Sequence, residues 1–124
     1  IESWDFSLYS CFPHIIATVT EYVIRYKHKG GIQDLEKARI WLRKAKDSYK
    51  YLTLCAPKLS ASEYLELAPE VNKENFSDLS EEQLGVLRTA QTLTMRLDNE
   101  RIFNVCIEII DKYLELLIKQ EGEV

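Results

Sequence analysis

Helical periodicity runs through most of this chain, and its sharpest instance lies between residues 34 and 52. There Leu35, Ala38, Leu42, Ala45, Tyr49 and Leu52 recur at alternating intervals of three and four, which places them on one face of an α-helix. Arg39, Arg43, Lys46 and Lys50 form a parallel basic stripe away from that seam. Upstream, Ile15, Ile16, Val19, Tyr22, Val23 and Tyr26 outline a second amphipathic helix, with Pro13 suited to its first turn. Gly30-Gly31 ends it, because glycine enters the left-handed region without steric cost. The spacing predicts an antiparallel hairpin of helices near 13–29 and 32–54.

Downstream signals are mostly caps. Pro57 closes the long helical region, and Ser60 with Glu63 predicts a capped short helix through about Leu67. Residues 69–78 read as a polar loop. Ser80 with Gln83 makes a second capping box, stapled by Leu79 and Leu84, and opens a helix to about Leu97. Asp98-Asn99 reads as a break and a new N-cap, the alternative being one bent helix from Leu79 to Lys119. In the last helix Ile102, Cys106, Ile109, Tyr113 and Leu116 define a seam that Phe103, Ile110, Leu114 and Leu117 widen. So wide an apolar face asks for neighbours on more than one side, at a bundle centre or between copies, and predicts self-association as a homo-oligomer, most simply a two-fold dimer through the final helix or the 34–52 seam. The β-branched alternation of strands is lacking. The expectation is an all-α, compact bundle of about five helices, forming a single helical domain over 1–124.

Charge is uneven along the chain. Residues 1–59 hold 10 Lys and Arg against 6 Asp and Glu, whereas residues 60–124 hold 6 against 14, giving the net charge of −4. A basic segment in an acidic protein suits either a phosphate-bearing ligand or an internal complement to the acidic half. The overall field disfavours nucleic acid as the main partner. No apolar run approaches the roughly 18 residues of a membrane span, and no signal-peptide pattern opens the chain, so no membrane association is expected. The chain opens on Ile rather than Met, which predicts that it begins inside a longer polypeptide. Cys11, Cys55 and Cys106 are too few and scattered for a disulfide framework. They read as small core fillers in a reducing, cytoplasmic setting.

Phosphate-loop, dinucleotide, zinc-protease and nucleophile-elbow signatures do not occur. Two charged constellations do. Arg25, Lys27, His28 and Lys29 lead into Gly30-Gly31, where converging cations beside a helix start can hold phosphate oxygens. The simpler alternative on pattern alone is that they complement the helix dipole. Glu108, Asp111 and Glu115 share one face of the final helix. Such carboxylates suit Mg²⁺, with Glu108 and Asp111 as ligands, or form a solvated acidic stripe. Glu108-x-x-Asp111 resembles one half of the helical acidic motif of MazG-type nucleoside-triphosphate pyrophosphatases. Glu81-Glu82 supplies two acids of the other half, and Gly85 stands where that motif has its third.

The segments IESWDF and EYVIRYKHKGGIQDLEKARIWLRKA resemble the small phage-encoded SaV-like proteins, a family described as nucleotide kinases. Tyr22, Arg25, Lys27, Lys29, Asp34, Leu35, Lys37, Ala38 and Leu42 match its pattern, and the resemblance covers about residues 1–46. Trp41 replaces a tyrosine, Ala17-Thr18 stand where the pattern has Gly-Asn, and Glu21 stands where it has lysine. The resemblance implies a phage-type protein of nucleotide metabolism in the host-cell cytoplasm, binding a nucleoside phosphate with Mg²⁺. Arg25, Lys27, Lys29 and Lys37 would neutralise phosphate charge, and Asp34 or Glu21 would orient metal or substrate. Two alternatives stand beside it: a non-catalytic helical module that targets a host protein, and a MazG-like pyrophosphatase.

Overall fold

A computed structural model describes residues 3–56 and 58–123. Among these residues the chain is all-α, with α1 Ser3–Tyr9, α2 His14–Arg25, α3 Ile32–Asp47, α4 Tyr49–Leu52, α5 Ala61–Leu67, α6 Glu81–Met95 and α7 Glu100–Gly122. Short 3₁₀ turns, Tyr26–His28 and Thr53–Cys55, follow α2 and α4. That is seven helices where periodicity predicts about five. One addition is α1. The other, α4, arises because the 34–52 helix breaks at Ser48, whose φ of −111° and ψ of 17° leave the helical region. Asp47 and Ser48 are weak helix formers because their side chains compete for nearby backbone groups. Ile1, Glu2 and Pro57, used in the sequence reading, lie outside the described residues.

Four helices build the bundle. Helix α2 packs on α3 and α6, and α7 packs on α3 and α6, so the four close into a ring. Neighbours run antiparallel. The side-chain amide of Gln83, at the start of α6, donates to Val23 O near the end of α2 at 2.8 Å. Beyond the end of α3, the hydroxyl of Tyr49 donates to Leu97 O at 2.8 Å, and its ring lies 4.8 Å from that of Phe103 at the start of α7. The interior is filled by Ile16, Val19, Val23, Leu35, Leu42, Val86, Leu93, Phe103, Ile110 and Leu114, among others. A smaller cluster of Phe6, Val71, Phe76, Leu79, Leu84 and Leu87 lies under α1 and the 69–79 loop. Phe6 meets Phe12 and Phe76 edge-on, each at 5.3 Å between ring centres, a favoured aromatic geometry.

The hairpin turns where the paired glycines stand. Gly31 takes φ 56° and ψ −135°, open to glycine and costly for other residues. Gly30 is needed for room: a Cβ there would stand 2.3 Å from Asp34 Oδ1. Both capping boxes form, at Ser60 with Glu63 and at Ser80 with Gln83. Asn99 caps α7 by accepting from Ile102 N at 3.0 Å, so α6 and α7 are two helices and not one bent helix.

The face of α7 differs from the expected seam. Phe103, Cys106, Ile107, Ile110, Leu114 and Leu117 point into the core, while Val105, Ile109 and Leu116 are exposed. The cysteines also divide. Cys106 is buried, and burial pushes its thiol up from its ordinary range. Cys11 and Cys55 are exposed rather than core fillers, because each sits where the chain turns out of a helix. No helix among the described residues is long and apolar enough to cross a membrane.

Candidate functional site

The basic turn after α2 opens onto a groove of about 370 Å³. One wall carries Ile24, Arg25, Lys27 and His28, and the other carries Asn75 through Leu79 together with Gln83. Two features hold this shape. The 3₁₀ turn Tyr26–His28 bends the chain out of α2 and anchors it through Tyr26, which is buried and whose carbonyl accepts from Gly31 N at 2.8 Å. The opposite wall is tied down by its own bonds: Asn72 Oδ1 accepts from Asn75 N at 2.9 Å, Asn75 Nδ2 donates to Glu70 O at 2.8 Å, and the Lys73 ammonium donates to Leu79 O. Gln83 closes the floor with both polar atoms bonded, its amide nitrogen donating to Val23 O and its carbonyl accepting from Ser80 N.

Arg25, Lys27 and His28 are exposed at the groove. The guanidinium of Arg25 lies 5.6 Å from the centre of the Tyr22 ring, a contact that orients it without consuming its donors. Lys27 also lies near Glu82. That carboxyl is held below the usual carboxylate range by its own backbone N–H first and by Gln120 next, with a smaller contribution from Lys27.

Of the other expected phosphate ligands, Lys29 is exposed at the end of the 3₁₀ turn and Lys37 is exposed on α3. Neither lines the groove. Asp34 does not reach it either. It is buried, and its Oδ2 accepts from Gly30 N at 3.0 Å, so its carboxylate fixes the hairpin turn. Glu21 is half-buried on α2 and is not part of the groove wall.

The acidic pair of α7 has a different neighbour from the one the pyrophosphatase motif requires. Asp111 accepts two bonds from Arg39, at 2.9 Å from Nε and 3.1 Å from Nη2. Glu108 lines a second groove, between α3 and α7, with Arg43, Lys46 and Glu115 on its walls and Leu42 and Ile107 among its lining. The basic stripe of α3 therefore faces the acidic stripe of α7, an internal complement of charge. Glu82 instead accepts from Gln120 at 3.2 Å, nine residues and about 13.5 Å along α7 from Asp111. Gly85 cannot carry the motif's third acid, because a Cβ there would stand 2.4 Å from Tyr113 Cζ. No group of three or more metal-ligating side chains gathers among the described residues.

Sequence reasoning missed the opposite wall of the groove. Asn75 and Ser77 lie in a polar loop with no periodicity to mark them, and only the Ser80 cap hints that the chain returns to the end of α2 there. No family model, curated protein or solved structure matches the chain.

Proposed function

We propose that this chain binds a small phosphorylated ligand, a nucleoside phosphate with Mg²⁺, in the groove beside the basic turn. The observation that carries this reading is the convergence of Arg25, Lys27 and His28 on one wall of a concave site with polar groups opposite. Guanidinium and ammonium donors match phosphate oxygens in charge and geometry. Asn75 and Ser77 add neutral hydrogen-bonding groups across the groove, and Ile24 supplies apolar surface for a sugar or base edge. Asp78 puts one carboxylate on that wall, which suits a metal-bearing phosphate better than a bare one. Mg²⁺ arrives with the nucleotide in this reading, since Asp111 is held by Arg39. A kinase-like transfer, as the family resemblance implies, would ask mainly for positioning and charge neutralisation.

The test is thermal melting against a panel of nucleoside mono-, di- and triphosphates with Mg²⁺. A ligand at a hundred times its Kd stabilises the folded state by about 2.7 kcal/mol. Arg25→Ala is expected to weaken binding about tenfold or more while the helical content stays unchanged. No shift with any nucleotide at millimolar concentration overturns the proposal. A loss of stability in Arg25→Ala without any ligand effect assigns Arg25 to the fold instead.

A non-catalytic interaction module is the second reading, favoured by one observation: the exposed apolar row Val105, Ile109 and Leu116 on α7.

A further inference from the structure

The two walls of the groove beside the basic turn differ in hydrogen-bonding character. The α2 side carries Arg25 and Lys27, whose charged ends only donate, together with His28. The opposite side is turned to accept. Asn75 Nδ2 donates to Glu70 O at 2.8 Å, and Glu70 is not part of the groove lining. The amide nitrogen is thereby drawn away from the groove, which leaves Oδ1 as the atom of that side chain nearer to it. Asp78 adds a carboxylate, an acceptor at both oxygens. Among the described residues neither the Asp78 carboxylate nor Asn75 Oδ1 accepts a bond. Ser77 stands between them with a hydroxyl that both donates and accepts.

A bare phosphate satisfies only the first wall. Its oxygens accept, and against Asp78 they meet like charge. A ligand that suits both walls carries acceptors at one end and donors at the other. We propose, on the basis of the phosphate reading above, that those donors are the 2′- and 3′-hydroxyls of a ribose. Asp78 then makes the groove select ribonucleotides over 2′-deoxyribonucleotides. The ribose is the group joined directly to the 5′-phosphate, so it is the part of a nucleotide that lies across from the cations in a groove of about 370 Å³. A vicinal diol sets two O–H donors side by side before the two oxygens of one carboxylate, the chemistry by which acidic side chains hold ribose in dinucleotide sites. A 2′-deoxyribose has only one of the two. Each carboxylate oxygen has a second lone pair, so a water on a phosphate-bound Mg²⁺ can share Asp78 with the sugar.

Isothermal titration calorimetry of the whole chain tests this with the 5′-mono- and triphosphates of adenosine and cytidine, each in ribo and 2′-deoxy form with Mg²⁺. The ribo form is expected to bind about tenfold tighter with either base, the size of one bond to a charged acceptor that stays partly in water. Asp78→Ala should weaken the ribo form and bring the two sugars within about twofold of each other. Helical circular dichroism should not change, because the Asp78 side chain is exposed and holds nothing in the fold. Arg25→Ala should weaken both sugars alike and preserve their ratio. Equal wild-type affinities for the two sugars overturn the proposal and leave the phosphate site standing. So does an Asp78→Ala chain that loses both forms equally, which places the carboxylate on the phosphate or its metal. A preference that reverses between adenosine and cytidine also overturns it, since the base then does the selecting. Binding of none of these nucleotides overturns the phosphate reading and the sugar preference together.

Discussion

Asp34 decides how much freedom the hairpin has. Its carboxylate is buried and accepts from Gly30 N at 3.0 Å, while the Gly30 position leaves no space for a side chain against it. Gly30→Ala should force the carboxylate aside and leave both groups poorly satisfied. A buried polar group deprived of its partner costs about 1–3 kcal/mol, and urea denaturation should register a loss of that size. Asp34→Asn keeps an oxygen facing the Gly30 amide and should cost less. The comparison identifies Asp34 as a turn residue by its effect on stability. The same pair shows what residue identity alone conveys. Paired glycines announce a turn, and the turn is there, but an acid four residues later looks the same whether it faces a ligand or the backbone. Only the path of the chain from Gly30 to Asp34 distinguishes them.

At the level of elements, helix ends were the most legible feature and helix faces the least. Ser60, Ser80 and Asn99 each cap the helix their side chains predict, because a cap is satisfied by its own few residues. The face of α7 was harder to read. Apolar residues surround most of its circumference, so periodicity identifies a helix without deciding which arc meets α3 and α6. Packing then chose Phe103, Ile110, Leu114 and Leu117 for the core and left Ile109 and Leu116 outside. The groove was half legible for a similar reason: its cations lie in one run of sequence, whereas Asn75 and Ser77 reach it from 50 residues away. The first turn of α6 yields a pH prediction. Glu82 is held below the ordinary value of 4.5 by its own amide, by Gln120 of α7 and, to a smaller extent, by Ser80 and Lys27. A carboxyl whose value is depressed on folding stabilises the fold above its unfolded value, and that contribution is lost as pH falls through the folded value. The melting temperature should hold near neutral pH and decline below about 4.5. Glu82→Gln should make that acid limb shallower, because no proton is then taken up at this position.

At the scale of the molecule, the uneven charge of the sequence becomes an internal match. The basic stripe of α3 stands across from the acidic stripe of α7, yet among the described residues only Arg39 and Asp111 close an ion pair between these helices. That pair joins the two hairpins of the bundle, α2–α3 and α6–α7, and its two bonds make it bidentate. Its side chains keep 25% and 36% exposure, so water screens the attraction and the expected coupling is modest. Exposed pairs contribute about 0.2–1 kcal/mol in double-mutant cycles, with bidentate geometry at the upper end. A cycle through Arg39→Ala, Asp111→Ala and the double variant should therefore return a coupling near 1 kcal/mol, shrinking in 1 M salt, where the screening length is about 3 Å. Arg43 and Lys46 line the same groove as Glu108 and Glu115 without closing pairs, so replacing either by Ala should change stability by less than about 0.5 kcal/mol. A coupling of zero would mean that apolar packing, with the Gln83–Val23 and Tyr49–Leu97 hydrogen bonds, holds the hairpins together without help from this ion pair.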